Sequence, residues 1–341
     1  WRTDGQEARQ REVNPVIEEI VELRRMGFRF IALADDNFYP VTLDDLKMAS
    51  RRDDKTRYHE LKAKRDERFE LMSLMAQLPD DLNFFTQITM ESAEDPAFLD
   101  AMRAARIRGA LVGIEAVTPE GLKDVYKDFN LAGEELVERL QTFRKHGIYV
   151  LGSFIFGLPS DRPATFEATA ELAKRADITF AQFVTLTPFP GTLDFEKWER
   201  EQGDEIQKVD GIPVSRHWLI PQEDRPKLLT PHPVMSGEEI RQGTQRVWNN
   251  FYSLRASWRR SNILKAIRNR LIFVVASKVM LQAFGNTGLS TDSARSSRAT
   301  KLGGIGFSLL QKMFSAAPMP DLEVPETPPA SSAPAPTALA S

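Results

Sequence analysis

Polar and small residues close each of five apolar runs in this chain, and these run ends are where chemistry could be done. The run over 28–34 ends in Asp35-Asp36-Asn37-Phe38. Three polar groups directly after a buried run are well placed to accept hydrogen bonds from an amine or a ribose; a capping turn before the next helix explains them as simply. The run over 84–90 carries Thr86, Gln87 and Thr89, with Glu91 just after it. The run over 110–114 ends in Glu115, within Gly113-Ile114-Glu115-Ala116. A carboxylate at the mouth of a buried strand needs a partner or a ligand, because burying it alone is costly. The fourth run reads Gly152-Ser153-Phe154-Ile155-Phe156-Gly157-Leu158-Pro159. Glycines at both ends let another group approach the backbone, so a flat ring such as adenine could lie there; tight helix packing is the other explanation. The fifth ends in Leu186-Thr187-Pro188-Phe189-Pro190-Gly191-Thr192, a rigid turn that either shapes a pocket rim or is a plain loop. The candidate binding residues are Asp35, Asp36, Asn37, Gln87, Glu115, Ser153, Ile155 and Gly157; none is singled out as catalytic.

The elements that position these residues follow from periodicity. Pro15 suits a first helical turn, and Ile17, Ile20, Val21 and Leu23 keep one apolar face up to Gly27, a stop signal. Helical patterns over 43–78, 96–106, up to His146 and over 163–176 separate the five apolar runs. Near-continuous apolar strands alternating with helices imply a parallel sheet covered by helices. The strands begin roughly 30 to 55 residues apart, as repeated right-handed crossovers require. The fold expected is an α/β partial TIM-like barrel, with a doubly wound sheet as the runner-up. In barrel-like folds the chemistry sits at the carboxyl ends of the strands. Residues 1–192 form this unit. Residues 193–285 are loop-rich and then helical, with Ser236 and Glu239 spaced as a capping box. Residues 286–341, rich in Pro, Ala and Ser, read as a tail of low order.

The chain has 341 residues with a formal net charge of −3, which gives no basic footprint for nucleic acid. It contains no cysteine, so no disulfide or thiolate metal site can form within it. His59, His146, His217 and His232 are scattered without metal-ligand spacing. Residue 1 is Trp and no signal peptide follows, which reads as a chain beginning in mid-gene or as a processed one.

In their order, these motifs resemble the radical S-adenosylmethionine (SAM) enzymes, and among them the subgroup with an N-terminal cobalamin-binding domain. The matching stretches are the 15–27 helix with the following DDNF, GIEA with Thr118-Pro119-Glu120-Gly121-Leu122, and Lys127-Asp128-Phe129-Asn130. His146-Gly147-Ile148, GSFIFGLPSD and LTPFPGT follow, then Pro233-Val234-Met235-Ser236 and Asn250-Phe251-Tyr252-Ser253. The resemblance covers roughly residues 12–260.

The resemblance implies a barrel lacking its first strand here. It also implies a [4Fe-4S] cluster held by a C-x3-C-x2-C loop shortly before the helix that begins near Pro15. SAM completes the cluster's coordination, and an electron splits it into methionine and a 5′-deoxyadenosyl radical. With cobalamin, methylation of unactivated carbons or ring rearrangement is common in the family. DDNF is then expected to face the methionine end of SAM, Glu115 its ribose hydroxyls or amino group, and the backbone of 155–157 its adenine, with Gln87 lining the same mouth. A small-molecule or lipid-like substrate and an electron donor such as flavodoxin or ferredoxin are implied. The cluster cysteines, the first strand and any cobalamin domain are missing, so this stretch is expected to be inactive alone. A degenerate relative acting as a binding or scaffold protein is one alternative; an unrelated α/β-barrel enzyme with a metal or phosphate site is another.

Residues 271–284 are mostly apolar and follow Arg255, Arg259, Arg260, Lys265, Arg268 and Arg270. Fourteen residues do not span a bilayer. The expectations are therefore a helix packed on the barrel, or peripheral membrane contact through 255–284 of a cytoplasmic protein.

Overall fold

The computed structural model describes residues 10–125, 133–203, 206–221, 224–226, 229, 232–284, 308, 312 and 315–326. Five strands, β1 (Phe30–Ala32), β2 (Asn83–Ile88), β3 (Ile107–Glu115), β4 (Tyr149–Phe156) and β5 (Phe180–Thr185), form one sheet in the order β1-β2-β3-β4-β5. Every neighbouring pair is parallel. A doubly wound sheet reverses its strand order at a switch point, and this one never does. Successive crossovers of one hand put the helices on one side, and the sheet curls into a half-barrel.

The outer helices are α1 (Val13–Arg25), α2 (Leu43–Arg51), α3 (Lys55–Gln77), α4 (Pro96–Ala104), α5 (Pro119–Asp124), α6 (Gly133–Lys145) and α7 (Pro163–Arg175). The helical pattern over 43–78 is two helices, not one. Asp53 takes a left-handed backbone (φ 52°), and the Asp54 side chain accepts from Arg57 N to start α3. Gly27 (φ +100°) ends α1 as its position predicts.

The strands are not uniformly buried. In β2 and β3, Phe84, Thr86, Ile88, Ala110, Val112 and Ile114 lie under the helices, while the alternate residues stay half-exposed on the other face. Full burial of both faces fits a closed barrel, and here the concave face is open. The helix-side core is aromatic: Phe84, Phe98, Phe143, Phe154, Phe156 and Phe183 are fully buried. Each contributes about 1.5–3 kcal/mol.

The C-terminal region holds α8 (Leu193–Gln202), a short hairpin of β6 (Lys208–Val209) and β7 (Ile212–Pro213), α9 (Gly237–Phe251), α10 (Leu254–Arg260) and α11 (Ile267–Phe284). α9 and α10 seal the free edge of β5. Trp248 Nε1 donates to Phe183 O (2.8 Å), the Tyr252 hydroxyl bonds both backbone groups of Ala181, and Arg260 Nε donates to Thr179 O (3.2 Å). Side chains here satisfy polar groups that a sixth strand would otherwise take. Inside the stretch read as a low-order tail, residues 315–326 instead lie against α1. Ala316 N donates to Gly27 O (2.9 Å), Met319 N to Arg25 O (3.1 Å), and Arg25 Nη2 to Leu322 O (2.6 Å). The rest of 286–341, apart from residues 308 and 312, lies outside the described residues.

Candidate functional site

The strand register brings the candidate residues to one edge and mostly to one face. Gln87 pairs with Leu111 and Leu111 with Leu151; two residues on, Gly113 pairs with Ser153 and Ser153 with Gln182. Alternate residues of a strand share a face. Gln87, Gly113, Ser153, Ile155 and Gln182 therefore line the concave side, opposite the helix-side core. Gln182 Nε2 donates to Ser153 Oγ (2.9 Å) across β4 and β5.

Beyond β1 the chain stays tied to the sheet, with Leu33 N donating to Phe85 O and Phe38 N to Gln87 O, both at 2.8 Å. Asp35 and Asn37 build the turn. Asp35 Oδ1 accepts from Asn37 N (3.1 Å), and Asn37 Oδ1 from Tyr39 N (3.1 Å). The other Asp35 oxygen pairs with Arg68 (3.0 Å), whose guanidinium lies 4.1 Å from the centre of the Phe38 ring. Burial lowers the Arg68 pKa and the Asp35 carboxylate opposes that shift. Asp36 is exposed. The capping-turn explanation thus describes Asp35 and Asn37, and Asp36 is the member of the trio left facing solvent.

Glu115 ends β3 in a left-handed conformation (φ 66°), just past a register break between Gly113 and Glu115. Ala116 N donates back to Ile114 O (2.9 Å). A non-glycine residue held there costs about 1 kcal/mol or more, and such strain gathers where a side chain must be aimed. The bulge turns Glu115 away from the direction that plain alternation gives it.

β4 ends in a clamped loop. Gly157 (φ +88°) donates to Asp161 Oδ2 at 2.8 Å, and Leu158 N donates to the same oxygen at 3.0 Å. Asp161 is buried, and burial pushes its carboxyl up to about 6 against the opposing pull of those two amides. Ser160 N donates to Asp124 Oδ2 (2.9 Å). From the C-terminal region, His232 Nε2 bonds Leu158 O (2.9 Å), while its Nδ1 accepts from Val234 N and Met235 N. That network assigns a neutral imidazole with its proton on Nε2.

Asp161, Asp124 and His232 were not among the residues expected at the site. Asp161 could have been found, since it closes GLPSD; His232 could not, because its partner lies 74 residues away. Of the other histidines, His146 pairs with Asp100 (2.7 Å) and His217 is buried beside Trp218. Lys127-Asp128-Phe129-Asn130 lies outside the described residues. A cavity of about 800 Å³ lined by Gln77, Leu78 and residues 318–326 sits near the amino ends of the strands, away from these loops.

No family model matches the chain. It is 36% identical over 96 residues to an uncharacterized methyltransferase of Pyrococcus horikoshii, a match covering 28% of this chain and 20% of that protein. It is 32% identical over 142 residues to the bacteriochlorophyllide d C-12(1)-methyltransferase of Chlorobaculum tepidum, covering 41% and 29%. With the hopanoid C-2 methylase of Rhodopseudomonas palustris it shares 30% over 120 residues, covering 35% and 23%. The matches thus span under a third of each relative's own length. Among solved structures, the radical SAM methyltransferase TsrM of Kitasatospora setae, with tryptophan substrate and a SAM analog bound, aligns with a TM-score of 0.48 at 18% identity. That alignment covers 87% of this chain and 53% of that one. The sequence matches thus make the chain similar, over part of its length, to proteins named as methyltransferases or a methylase.

Proposed function

We propose that this chain is the SAM-binding part of a radical SAM enzyme whose complete form transfers a methyl group. The observation that carries the reading is that strand register puts Gln87, Ser153 and Ile155 on one concave face, while Asp36, Glu115 and Gly157 stand at or just past the carboxyl ends of β1, β3 and β4. The strained Glu115 offers a carboxylate for the ribose hydroxyls or the amino group. The loop at Gly157, fixed by Asp161, presents backbone to the adenine, and a side chain at 157 would be strained as well as obstructive. The open, half-exposed concave face supplies apolar surface beside those groups. Methyl transfer is supported by the curated relatives, which are named as methyltransferases or a methylase.

The residues present fit SAM but not the cluster. With no cysteine among 341 residues there is no thiolate to hold iron. The cluster ligands are therefore proposed to lie in sequence outside these residues, and these residues alone to be inactive. Held in the complete protein by ligands outside these residues, such a cluster would supply reducing electrons for SAM cleavage. Cobalamin use belongs to the same proposal, as do a flavodoxin- or ferredoxin-like donor and a small-molecule or lipid-like substrate.

The test is equilibrium binding of SAM to the complete, anaerobically purified protein. Glu115→Ala is expected to weaken binding about tenfold or more, the loss of one charge-assisted hydrogen bond. Unchanged affinity would remove Glu115 from the site. Iron and sulfide assays on the same protein separate the enzyme from a cysteine-free scaffold, which holds neither.

A further inference from the structure

Residues 240–284 contain nine Lys or Arg and no Asp or Glu, in a chain whose net charge is −3. Seven of the nine fall in residues 252–284, on α10, α11 and the turn between them, whereas α9 balances Arg241 and Arg246 with Glu238 and Glu239. Within this stretch Arg260 is buried, donating to Thr179 O and stacking on Phe251 (3.8 Å), so it belongs to the fold. Arg255, Arg259, Lys265 and Arg268 are exposed.

Among these cations stand two apolar stripes at helical spacing. Leu254 and Trp258 lie four apart on α10, and Ile267, Leu271 and Val275 lie at steps of four on α11. Leu254, Ile267 and Leu271 are 65%, 60% and 56% exposed. The two helices are held together by Arg270, whose guanidinium lies 4.1 Å from the Trp258 ring centre. The opposite side of α11 is the packed one. Phe273 stacks on Phe180 (5.1 Å) and Ser277 is buried. The helix-on-barrel expectation describes the packed face of α11. No described helix is long and apolar enough to cross a membrane.

We propose that the exposed face of α10 and α11 docks on an anionic lipid surface, with Leu254, Trp258, Ile267, Leu271 and Val275 entering the headgroup region and Arg255, Arg259, Lys265 and Arg268 meeting the lipid charge. An acid-free basic rim around exposed apolar side chains is complementary to an anionic interface. An ordinary protein partner gives no reason for the complete absence of carboxylates.

The test is co-sedimentation of the full chain with vesicles, which needs neither SAM nor a cluster and so stands or falls apart from the proposed activity. Vesicles of phosphatidylcholine containing about 30% phosphatidylglycerol are expected to carry the protein down, and pure phosphatidylcholine vesicles to leave most of it behind. Binding should fall steeply by about 0.5 M salt. The pairs Arg259→Glu with Arg268→Glu, and Ile267→Ser with Leu271→Ser, should each weaken binding about tenfold or more with the melting temperature unchanged. Equal binding to both vesicle types, no binding to either, or no effect of either pair would overturn the proposal. So would a dimer that Ile267→Ser with Leu271→Ser converts to monomer while vesicle binding stays as it was, which assigns the face to a second copy.

Discussion

The Tyr252 hydroxyl sits against both backbone polar groups of Ala181, accepting from its amide at 3.0 Å and donating to its carbonyl at 2.7 Å. A phenol thereby does at the free edge of β5 what an adjacent strand does elsewhere in the sheet. Trp248 on Phe183 O and Arg260 on Thr179 O continue the series at alternate residues. The half-barrel ends at α9 and α10 without an exposed ladder.

Removing that hydroxyl leaves the Ala181 amide and carbonyl buried without this partner. Tyr252→Phe is expected to lower stability by about 2 kcal/mol, read as a shift in the urea midpoint with an unchanged slope. Burial pushes the Tyr252 phenol well above its ordinary value. Its absorbance should therefore fail to titrate near pH 10 while the chain stays folded.

Asp161 makes a pH-dependent prediction. Its folded-state carboxyl is raised from 3.8 to about 6, so between those values the folded chain keeps a proton that the unfolded chain has released. Stability from this group falls as pH rises through that window, by up to about 3 kcal/mol, and is level above it. Asp161→Asn keeps an oxygen for Gly157 and Leu158 and removes the titration. Urea midpoints from pH 4 to 7 should lose this slope in the variant, which at pH 7 should be at least as stable as the parent.

Glu115 permits strain and function to be separated. Glu115→Ala and Glu115→Gly both delete the carboxylate, but only glycine relaxes at φ 66°. The glycine variant should be about 1 kcal/mol more stable than the alanine variant by thermal melting. In the complete protein both should lose SAM affinity equally. A glycine variant no more stable than alanine would remove the strain argument.

Gly243 is where α9 crosses α7. A methyl group placed there meets the Phe166 ring at 2.5 Å, and Phe166 is itself packed on Phe156 (4.6 Å). Gly243→Ala is expected to destabilise by about 1–3 kcal/mol despite alanine's better helix propensity, measured by chemical denaturation.

The parallel half-barrel was legible because each crossover unit repeats a helix pattern and an apolar run, and the edge that carries chemistry follows from strand direction. The break at Asp53 was missed although Asp53-Asp54 is a capping signal, because the charged periodicity runs through it. The half-exposed concave face was missed because apolar residues occupy both faces of the strands; Phe85 and Leu111 look like core and lie on the open side. Residues such as Ser153 and Gly157 could be named from sequence. Asp161, which fixes Gly157, lies in the same loop, but Gln182 reaches Ser153 across strands and His232 comes from a segment far along the chain. No local pattern encodes those last two contacts.

The central claim is that loops from separate strands share one SAM molecule. Hydrogen–deuterium exchange of the complete, cluster-loaded protein with and without SAM tests it most directly. Protection should arise together over 35–38, 113–117 and 153–161, with none at 27–30 or 315–322. Protection confined to one of the three segments, or centred on the opposite edge, would contradict the account.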